Sequence, residues 1–463
     1  MSNTPKRNPK IIALIVVLVI AVAVALYFLL NQGSNTPEPS PTPVAVQTET
    51  PAPEATLEPT PEVTEAPAAQ ATEAPAPEVA MVVVPEATEA PAPEVAVVVV
   101  PEATEAAAVQ ASEAPAVLAV SAFPSVALED LKVGMVLIGS KDDGFSGAHY
   151  NGLEGTKNEL GLKDEQVLYK FNVPETAECE AALRELVDAG CHIIFGNSWG
   201  FMNYMEEVAS EFPEVIFSHC SGYKNNGVNF NNYFGRIYQA RYLAGIAAGL
   251  KTQTNKIGYV AAWADNAEVN GGINAFALGI QSVNPDAVVY VKYISSWFDP
   301  TLEKQTAVAL LSLDCDVIGQ HVDTSMPQVA AQEAGKFGCG YNTDMTPDAP
   351  DAHLTAPIWH WSSVYTAQVK DVLAGTWLPI NYFLGLKENM VDISPLSKNV
   401  APGTEEAIEA AREKMLSGEW DVFTGPIFSN TGELVVKDGE SLSDSDITGG
   451  LMTNLLIKGV EVR

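Results

Sequence analysis

Short apolar runs alternate with amphipathic stretches from residue 131 onward, and this alternation restricts the possible fold more than any other feature. Strand and helix in repeated succession predict an α/β fold with parallel sheets. Ligands bind such sheets at the carboxyl ends of the strands, so we expect functional residues directly after each strand. The predicted strands are 133–139, 166–172, 192–196, 215–219, 257–263, 288–294, 316–321 and 337–341, and the predicted helices are 147–160, 177–189, 238–250, 272–283, 302–313 and 363–374.

The size and charge of this part restrict it further. Residues 121–463 number 343, which exceeds the roughly 250–300 residues at which one hydrophobic core stops growing, so two lobes are expected. This part carries 44 Asp and Glu against 22 Lys and Arg, a formal charge of −22. An acidic surface repels phosphate backbones, and nucleic acid is therefore not an expected partner.

The amino-terminal sequence predicts a membrane anchor. Residues 11–30 form an uncharged apolar run that, as a helix, would span about 30 Å, the thickness of a bilayer core. The run ends in large residues rather than a small-residue cleavage site, so residues 1–30 are expected to form a retained signal anchor or transmembrane helix. Basic residues precede the run and none follows before Lys132, which predicts a single-pass protein of the cell membrane with an extracytoplasmic carboxyl-terminal domain.

Residues 31–120 are rich in Pro, Ala, Glu, Thr and Val and contain an internal repeat. PEATEAPAPEVAVVVV (85–100) has a near copy 16 residues earlier. The repeat has no aromatic residue and a proline every few positions, so it cannot build a packed core. We expect a disordered, partly extended linker that holds the following domain away from the membrane.

One loop fits a hydrolase motif. Residues 196–200 read Gly-Asn-Ser-Trp-Gly, the G-x-S-x-G pattern of a nucleophile elbow between strand and helix. An α/β-hydrolase is therefore an alternative interpretation, with Ser198 as nucleophile, an acid at Asp323 or Asp344, and a base at His353 or His360. Against this interpretation, no HGGG-like oxyanion segment precedes the loop.

The residue spacing does not match the motifs for cofactor or metal binding that we considered. The glycines of loop 139–147 do not form G-x-G-x-x-G, and Asp142 and Asp143 would repel a pyrophosphate. The six His and five Cys show neither the helical spacing of a zincin nor C-x-x-C. We expect no cofactor and no metal ion.

Aromatic residues instead mark the ends of the predicted strands. Phe145, Trp199, Trp263 and Trp297 each follow a strand, and a Trp359-His360-Trp361 cluster lies farther along the chain. Tryptophans that converge on one crevice can enclose a planar ligand while amides and carboxylates fix its edge.

These residues belong to segments that resemble the basic membrane protein family, also called the PnrA-like or Med-like substrate-binding proteins of ABC importers. The resemblance covers nearly the whole region from residue 131, and its segments occur in the family's order. The segments are DDGFSGAHYNGLEG (142–155), GCHIIFGNSWGFMNY (190–204), FPEVIFSH (212–219), ARYLAGIAAGLKT (240–252), KIGYVAAW with EVNGGINAFALG (256–279), SWFDPTLEKQTA (296–307), and DVIGQHVDTSMPQVAAQEAG with GYNTDM (316–345).

The resemblance implies a type I periplasmic-binding-protein fold: two Rossmann-like lobes joined by a three-crossover hinge that close on a ligand. The expected lobes are 131–233 with 353–381, and 234–352 with 382–463. It also implies a solute-binding protein rather than an enzyme, with an ABC permease and ATPase as partners, and makes Ser198 a ligand-facing or capping hydroxyl. A membrane-anchored ligand sensor of the same fold is a further alternative.

Relatives in this family bind purine nucleosides or purine bases. Where the nucleoside binders carry a ribose-binding Asp, this chain has Asn342, which loses the charge-assisted bonds to ribose hydroxyls. Phe145 and His149 resemble a subgroup associated with free bases, so a purine base is favoured over a nucleoside. The expected stacking faces are Phe145 and Trp199 from one lobe and Trp263 or Trp297 from the other. The expected edge partners are Asp142, His149, Asn342 and Asp344.

Overall fold

The computed structural model describes residues 121–463. The anchor and linker predicted for residues 1–120 lie outside the described residues. Across residues 121–463, no helix combines the length and the apolar character that crossing a membrane requires.

Strands and helices alternate along the described chain as the sequence predicts. The strands are β1 (Val133–Val136), β2 (Val167–Lys170), β3 (Ile193–Gly196), β4 (Ile216–Cys220), β5 (Phe230–Gly235), β6 (Lys256–Ala261), β7 (Val288–Tyr293), β8 (Val317–His321), β9 (Phe337–Cys339), β10 (His353–Thr355), β11 (Pro357–Trp359), β12 (Tyr382–Leu384), β13 (Val391–Ile393), β14 (Ile427–Phe428), β15 (Leu434–Val436) and β16 (Val460–Val462). The α-helices are α1 (Gly144–Leu160), α2 (Ala177–Asp188), α3 (Met202–Glu211), α4 (Ile237–Lys251), α5 (Ala267–Val283), α6 (Pro300–Leu311), α7 (Met326–Glu333), α8 (Ser362–Ala374), α9 (Thr404–Ser417), α10 (Asp444–Thr448) and α11 (Gly450–Asn454).

Two six-stranded sheets form the framework. The first has the order β12-β5-β4-β3-β1-β2 and the second the order β10-β9-β8-β6-β7-β16. Every pairing within both sheets is parallel. The predicted α/β fold with parallel sheets is therefore confirmed, and the central strands are buried on both faces, as their continuous apolar sequences require.

The chain passes between the sheets three times, after β5, β10 and β12. Strand pairing assigns β10 to the second sheet, next to β9, and β12 to the first sheet, next to β5. The exact lobe boundaries given above stay a prediction. Because both sheets are parallel, their carboxyl ends gather the loops that carry the expected ligand contacts.

Strand β5 is the longest strand that the apolar pattern does not reveal, and helices α7 and α9 are also absent from the predicted elements. Its sequence, Phe-Asn-Asn-Tyr-Phe-Gly, is interrupted by Asn231 and Asn232, yet both asparagines are buried. The Asn231 amide donates to Gln368 Oε1 and to the carbonyl of Ile380, and the Asn232 amide donates to the carbonyl of His219. Tertiary partners accept from both amide NH₂ groups, and a window along the sequence cannot show such partners.

Candidate functional site

The carboxyl ends of the two sheets meet where Gly144 lies against Asp323. Gly144 begins α1 after β1 of the first sheet, and Asp323 follows β8 of the second. A Cβ atom added to Gly144 would lie 2.2 Å from the Asp323 carbonyl oxygen and 3.2 Å from Asn342 Nδ2. Only a residue without a side chain allows this approach, which defines a closed cleft between the sheets.

Asn342 lies at the second-sheet side of this contact, and both ends of its amide are bound by protein. The residue follows β9 with a left-handed φ of 68°, a conformation that asparagine tolerates better than most residues. Its Nδ2 donates to Asp323 Oδ1 over 2.9 Å, and its Oδ1 accepts from Trp359 Nε1 over 3.2 Å. The amide therefore positions the Asp323 carboxyl and links it to β11.

The environment of Asp323 favours the protonated carboxyl. Burial raises the pKa of Asp323 to about 8; the hydrogen bond from Asn342 opposes the rise, and the carboxyls of Glu303 and Asp143 add to it. Asp143 belongs to the first sheet's loop, where its side chain caps α1 by accepting from the backbone N–H groups of Ser146 and Gly147. Two carboxyls from opposite sides thus approach each other across the cleft.

A stack of aromatic rings forms the hinge-side wall. The rings of His149 and Trp361 lie 3.9 Å apart at 18°, and those of Trp361 and Trp359 lie 4.5 Å apart at 16°. Phe145 contacts His149 edge-on at 4.5 Å. Burial lowers the pKa of His149 well below its usual value, and its Nδ1 hydrogen-bonds the Tyr365 hydroxyl, so this histidine is a neutral, buried member of the stack.

The opposite wall, from the second sheet, is polar. The Oε1 atom of Glu268 accepts from His321 Nε2 and from the Tyr341 hydroxyl, both over 3.2 Å. Burial lowers the pKa of His321 to about 4, with the Arg241 charge acting in the same direction, so the ring donates as a neutral imidazole. Trp297 packs next to His321, with ring centroids 5.8 Å apart, and its carbonyl accepts from the Asp323 N–H.

The structure brings some of the predicted site residues together and separates others. Phe145, Trp297 and Asn342 belong to the segments that meet at Gly144 and Asp323. Trp199 is 56% exposed and pairs with Tyr223 at the rim of the first sheet, and Trp263 is 37% exposed after β6. The roles assigned to these residues stay predictions.

The predicted acidic edge partners occupy more peripheral positions. Asp142 is exposed in the loop after β1. Asp344 is also exposed, and its Oδ1 accepts from the backbone N–H and the hydroxyl of Thr346, which closes its own turn.

The Ser198 hydroxyl is paired with a carboxylate rather than with a histidine. Its hydroxyl donates to Glu175 Oε1 over 2.6 Å, and the same oxygen accepts from the Gly200 N–H. His219 hydrogen-bonds the backbone carbonyl of Ser198 rather than its hydroxyl. The Ser198 hydroxyl is thus bonded to a carboxylate that also holds the Gly200 N–H, which braces the turn, and its contacts differ from the Ser-His pair of the G-x-S-x-G hydrolases.

Four residues near the cleft were not among the predicted binding residues: Glu268, His321, Asp323 and Tyr341. Sequence position could have indicated two of them, since Asp323 directly follows the β8 run and Glu268 lies in the first turn of the helix after β6. His321 and Tyr341 are within or next to strands, where a buried polar residue resembles ordinary core.

Comparison with known proteins is consistent across sequence and structure. A family profile described as "ABC transporter substrate-binding protein PnrA-like" matches residues 131–423. A purine-binding protein of Brucella abortus is 36% identical over 334 residues, which cover 72% of this chain and 93% of that protein. A putative ABC transporter glucose-binding protein of Haloferax volcanii is 34% identical over 257 residues, covering 56% of this chain and 65% of that protein.

The fold also matches solved structures. An ABC transporter solute-binding protein from Conexibacter woesei superposes with a TM-score of 0.53 at 20% identity, covering 63% of this chain and 98% of that one. A solute-binding protein from Aeropyrum pernix gives a TM-score of 0.54 at 18% identity, covering 71% of this chain and all of that one.

Proposed function

Because this chain belongs to the PnrA-like family of ABC transporter substrate-binding proteins, we propose that it binds a purine base in the cleft between its two sheets. Closure of the cleft would bury the base and present the loaded form to an ABC permease driven by its ATPase. The Brucella relative, described as purine-binding and aligned over 93% of its length, supports a purine as the ligand.

The observation that carries the proposal is the pairing of aromatic and carboxylate groups at the contact between the sheets. Phe145 is next in sequence to Gly144, and the Trp297 carbonyl binds the N–H of Asp323, so both rings flank the same contact. Flat rings favour a planar ligand, whose edge can donate a hydrogen bond to the Glu268 carboxylate and accept one from the protonated Asp323 carboxyl.

A base is favoured over a nucleoside because of Asn342. Its amide is held by Asp323 and Trp359, and it supplies no carboxylate to a ribose.

Trp361 adds a buried indole N–H that has no hydrogen-bond partner among the described residues and is available to a ring nitrogen.

We further propose that residues 1–30 anchor the protein in the cell membrane and that residues 31–120 tether the binding domain outside the cytoplasm. The uncharged run at 11–30 and the basic residues before it support this arrangement. Fractionation after a high-salt wash tests it: the full chain should stay with the membrane, and a variant without residues 1–30 should not.

The ligand is tested by mass spectrometry of whatever co-purifies with the chain, followed by titration calorimetry. We expect binding of adenine or guanine and weaker binding of adenosine, guanosine and inosine. Tight binding of D-glucose with no response to any purine would contradict the proposal. We propose a binding protein rather than an enzyme. The variant Ser198→Ala should therefore bind the base with an affinity within about twofold of the wild type, and neither the variant nor the wild type should hydrolyse esters.

A further inference from the structure

We propose that Glu268 determines ligand specificity by accepting a hydrogen bond from the exocyclic amino group of an aminopurine. This inference rests on the proposed purine-binding function and adds to it a residue and a chemical class. It follows from how the carboxylate is held, which way it faces, and which groups around it are already engaged.

The carboxylate of Glu268 is fixed through one oxygen and open at the other. Oε1 accepts from both His321 Nε2 and the Tyr341 hydroxyl, whereas Oε2 accepts from no described residue. The side chain is 24% exposed although both of its donors are buried. Such an arrangement presents a single oriented acceptor to the cleft.

A buried arginine lies behind one of the two donors, Tyr341. The Arg241 guanidinium lies 4.1 Å from the centre of the Tyr341 ring, and its Nη1 donates to the Tyr259 hydroxyl and the Gln320 carbonyl. Arg241 is 1% exposed, so its charge acts in a protected environment. Burial alone would raise the pKa of Glu268, but the bond from His321 and the Arg241 charge outweigh it, and the pKa is lowered. Glu268 is therefore ionised near neutral pH.

Glu268 also acts across the cleft. Cys220 ends β4 of the first sheet. Burial is the largest cause of the raised pKa of the Cys220 thiol, and the charge of Glu268 is the second largest. The Glu268 carboxylate likewise contributes to the raised pKa of Asp323. Glu268 belongs to the first turn of α5, directly after the carboxyl end of β6, and that edge of a parallel sheet is where ligands of such folds bind.

The neighbouring donors on this wall are already used. His321 Nε2 and the Tyr341 hydroxyl donate to Glu268, and Asn342 Nδ2 donates to Asp323. An ionised carboxylate only accepts, so the ligand edge that meets Oε2 has to donate. Both a ring N–H of a free purine base and the exocyclic amino group of adenine or guanine can donate. The proposal assigns the amino group, and a carbonyl at the same place would face the carboxylate as a second acceptor.

Two matched ligand pairs isolate the amino group. Adenine and unsubstituted purine differ only by the 6-amino group, and guanine and hypoxanthine differ only by the 2-amino group. We expect removal of the amino group from the preferred base to weaken binding to the full-length wild type by about 10- to 100-fold, as for a charge-assisted hydrogen bond. Titration calorimetry measures each affinity.

The variant Glu268→Gln keeps an oxygen for His321 and Tyr341 but replaces the open acceptor with an NH₂ donor. In this variant, removal of the amino group from the ligand should weaken binding by about twofold or less. The affinity for hypoxanthine, which carries a carbonyl and no amino group, should be higher than that of the wild type. Tyr341→Phe removes one positioning bond without removing the acceptor and should reduce the penalty only in part. Glu333→Gln, on α7 and paired with Lys304, makes the same charge change away from the cleft and should retain the wild-type penalty.

The outcomes separate the two proposals. If none of the four bases binds the wild type, the purine assignment itself is wrong, and the role of Glu268 is wrong with it. If the bases bind and Glu268→Gln, folded by its melting temperature, shows the wild-type penalty for removing the amino group, only the role of Glu268 is wrong.

Discussion

At Asp323 the folded chain retains a proton that the unfolded chain would release. The ordinary pKa of an aspartate is about 3.9, and burial raises that of Asp323 to about 8. Between these values the unfolded state loses its proton first, so the contribution of this carboxyl to the stability of the fold falls as the pH rises from about 4 to about 8. Below about pH 4 the carboxyl is protonated in both states.

The variant Asp323→Asn tests this linkage. Asparagine keeps an oxygen to accept from Asn342 Nδ2 but cannot ionise. We expect the difference in melting temperature, variant minus wild type, to increase steadily as the pH is raised from about 4 to about 8. Thermal unfolding across that range provides the measurement, and a difference independent of pH would contradict the expected ionisation.

At the scale of single elements, the start of α1 depends on the absence of a side chain at Gly144. Asp143 caps the helix, and the next residue lies directly against the Asp323 carbonyl of the other sheet. One glycine therefore serves both the helix and the closed cleft, and the two roles can be separated experimentally.

The variant Gly144→Ala should keep the fold but hinder closure. The new methyl group would lie 2.2 Å from the Asp323 carbonyl oxygen, so the closed arrangement must shift, while an open one has no such clash. We expect ligand affinity to fall at least about tenfold, with the melting temperature of the ligand-free protein unchanged or raised.

A second helical glycine supplies the control for this prediction. Gly271→Ala on α5 places its methyl group 3.4 Å from the flexible Met452 side chain, an ordinary contact, and should bind ligand as the wild type does. Calorimetry and thermal unfolding of both variants give the comparison. Wild-type affinity in Gly144→Ala would show that closure does not require the Gly144 contact.

Elements whose burial follows from their own sequence were predictable, and elements stabilised by distant partners were not. Continuous apolar runs located β1 to β4 and β6 to β9. Strand β5 was not predicted because the amide groups of Asn231 and Asn232 donate to partners outside the strand, Gln368 and His219. The same reason applies to the candidate site. Position after a strand singled out Phe145 and Trp297, and the family resemblance singled out Asn342, but nothing local indicates that His321 and Tyr341 hold Glu268.

At the scale of the whole molecule, net charge is a property that the contacts do not describe. Residues 121–463 carry a formal charge of −22, and like charges spread over a folded surface repel one another. Added salt screens this repulsion, since the Debye length shortens from about 30 Å at 0.01 M to about 8 Å at 0.15 M.

We therefore expect sodium chloride to stabilise the protein at neutral pH. The melting temperature should rise by several degrees between about 0.01 M and 0.15 M salt. The same titration close to the sequence pI of 4.4, where the net charge vanishes, serves as the control and should show little effect. A melting temperature that is flat or falling with salt at neutral pH would mean that local ion pairs outweigh the overall repulsion.

The stacked indoles of Trp359 and Trp361 give this protein an optical signal of its own. Two such chromophores 4.5 Å apart and nearly parallel have coupled electronic transitions, and they lie where the chain crosses between the sheets. Any movement that turns one ring against the other changes that coupling. Near-ultraviolet circular dichroism can therefore follow the opening and closing of the cleft in the native chain, without a label and without knowledge of the ligand.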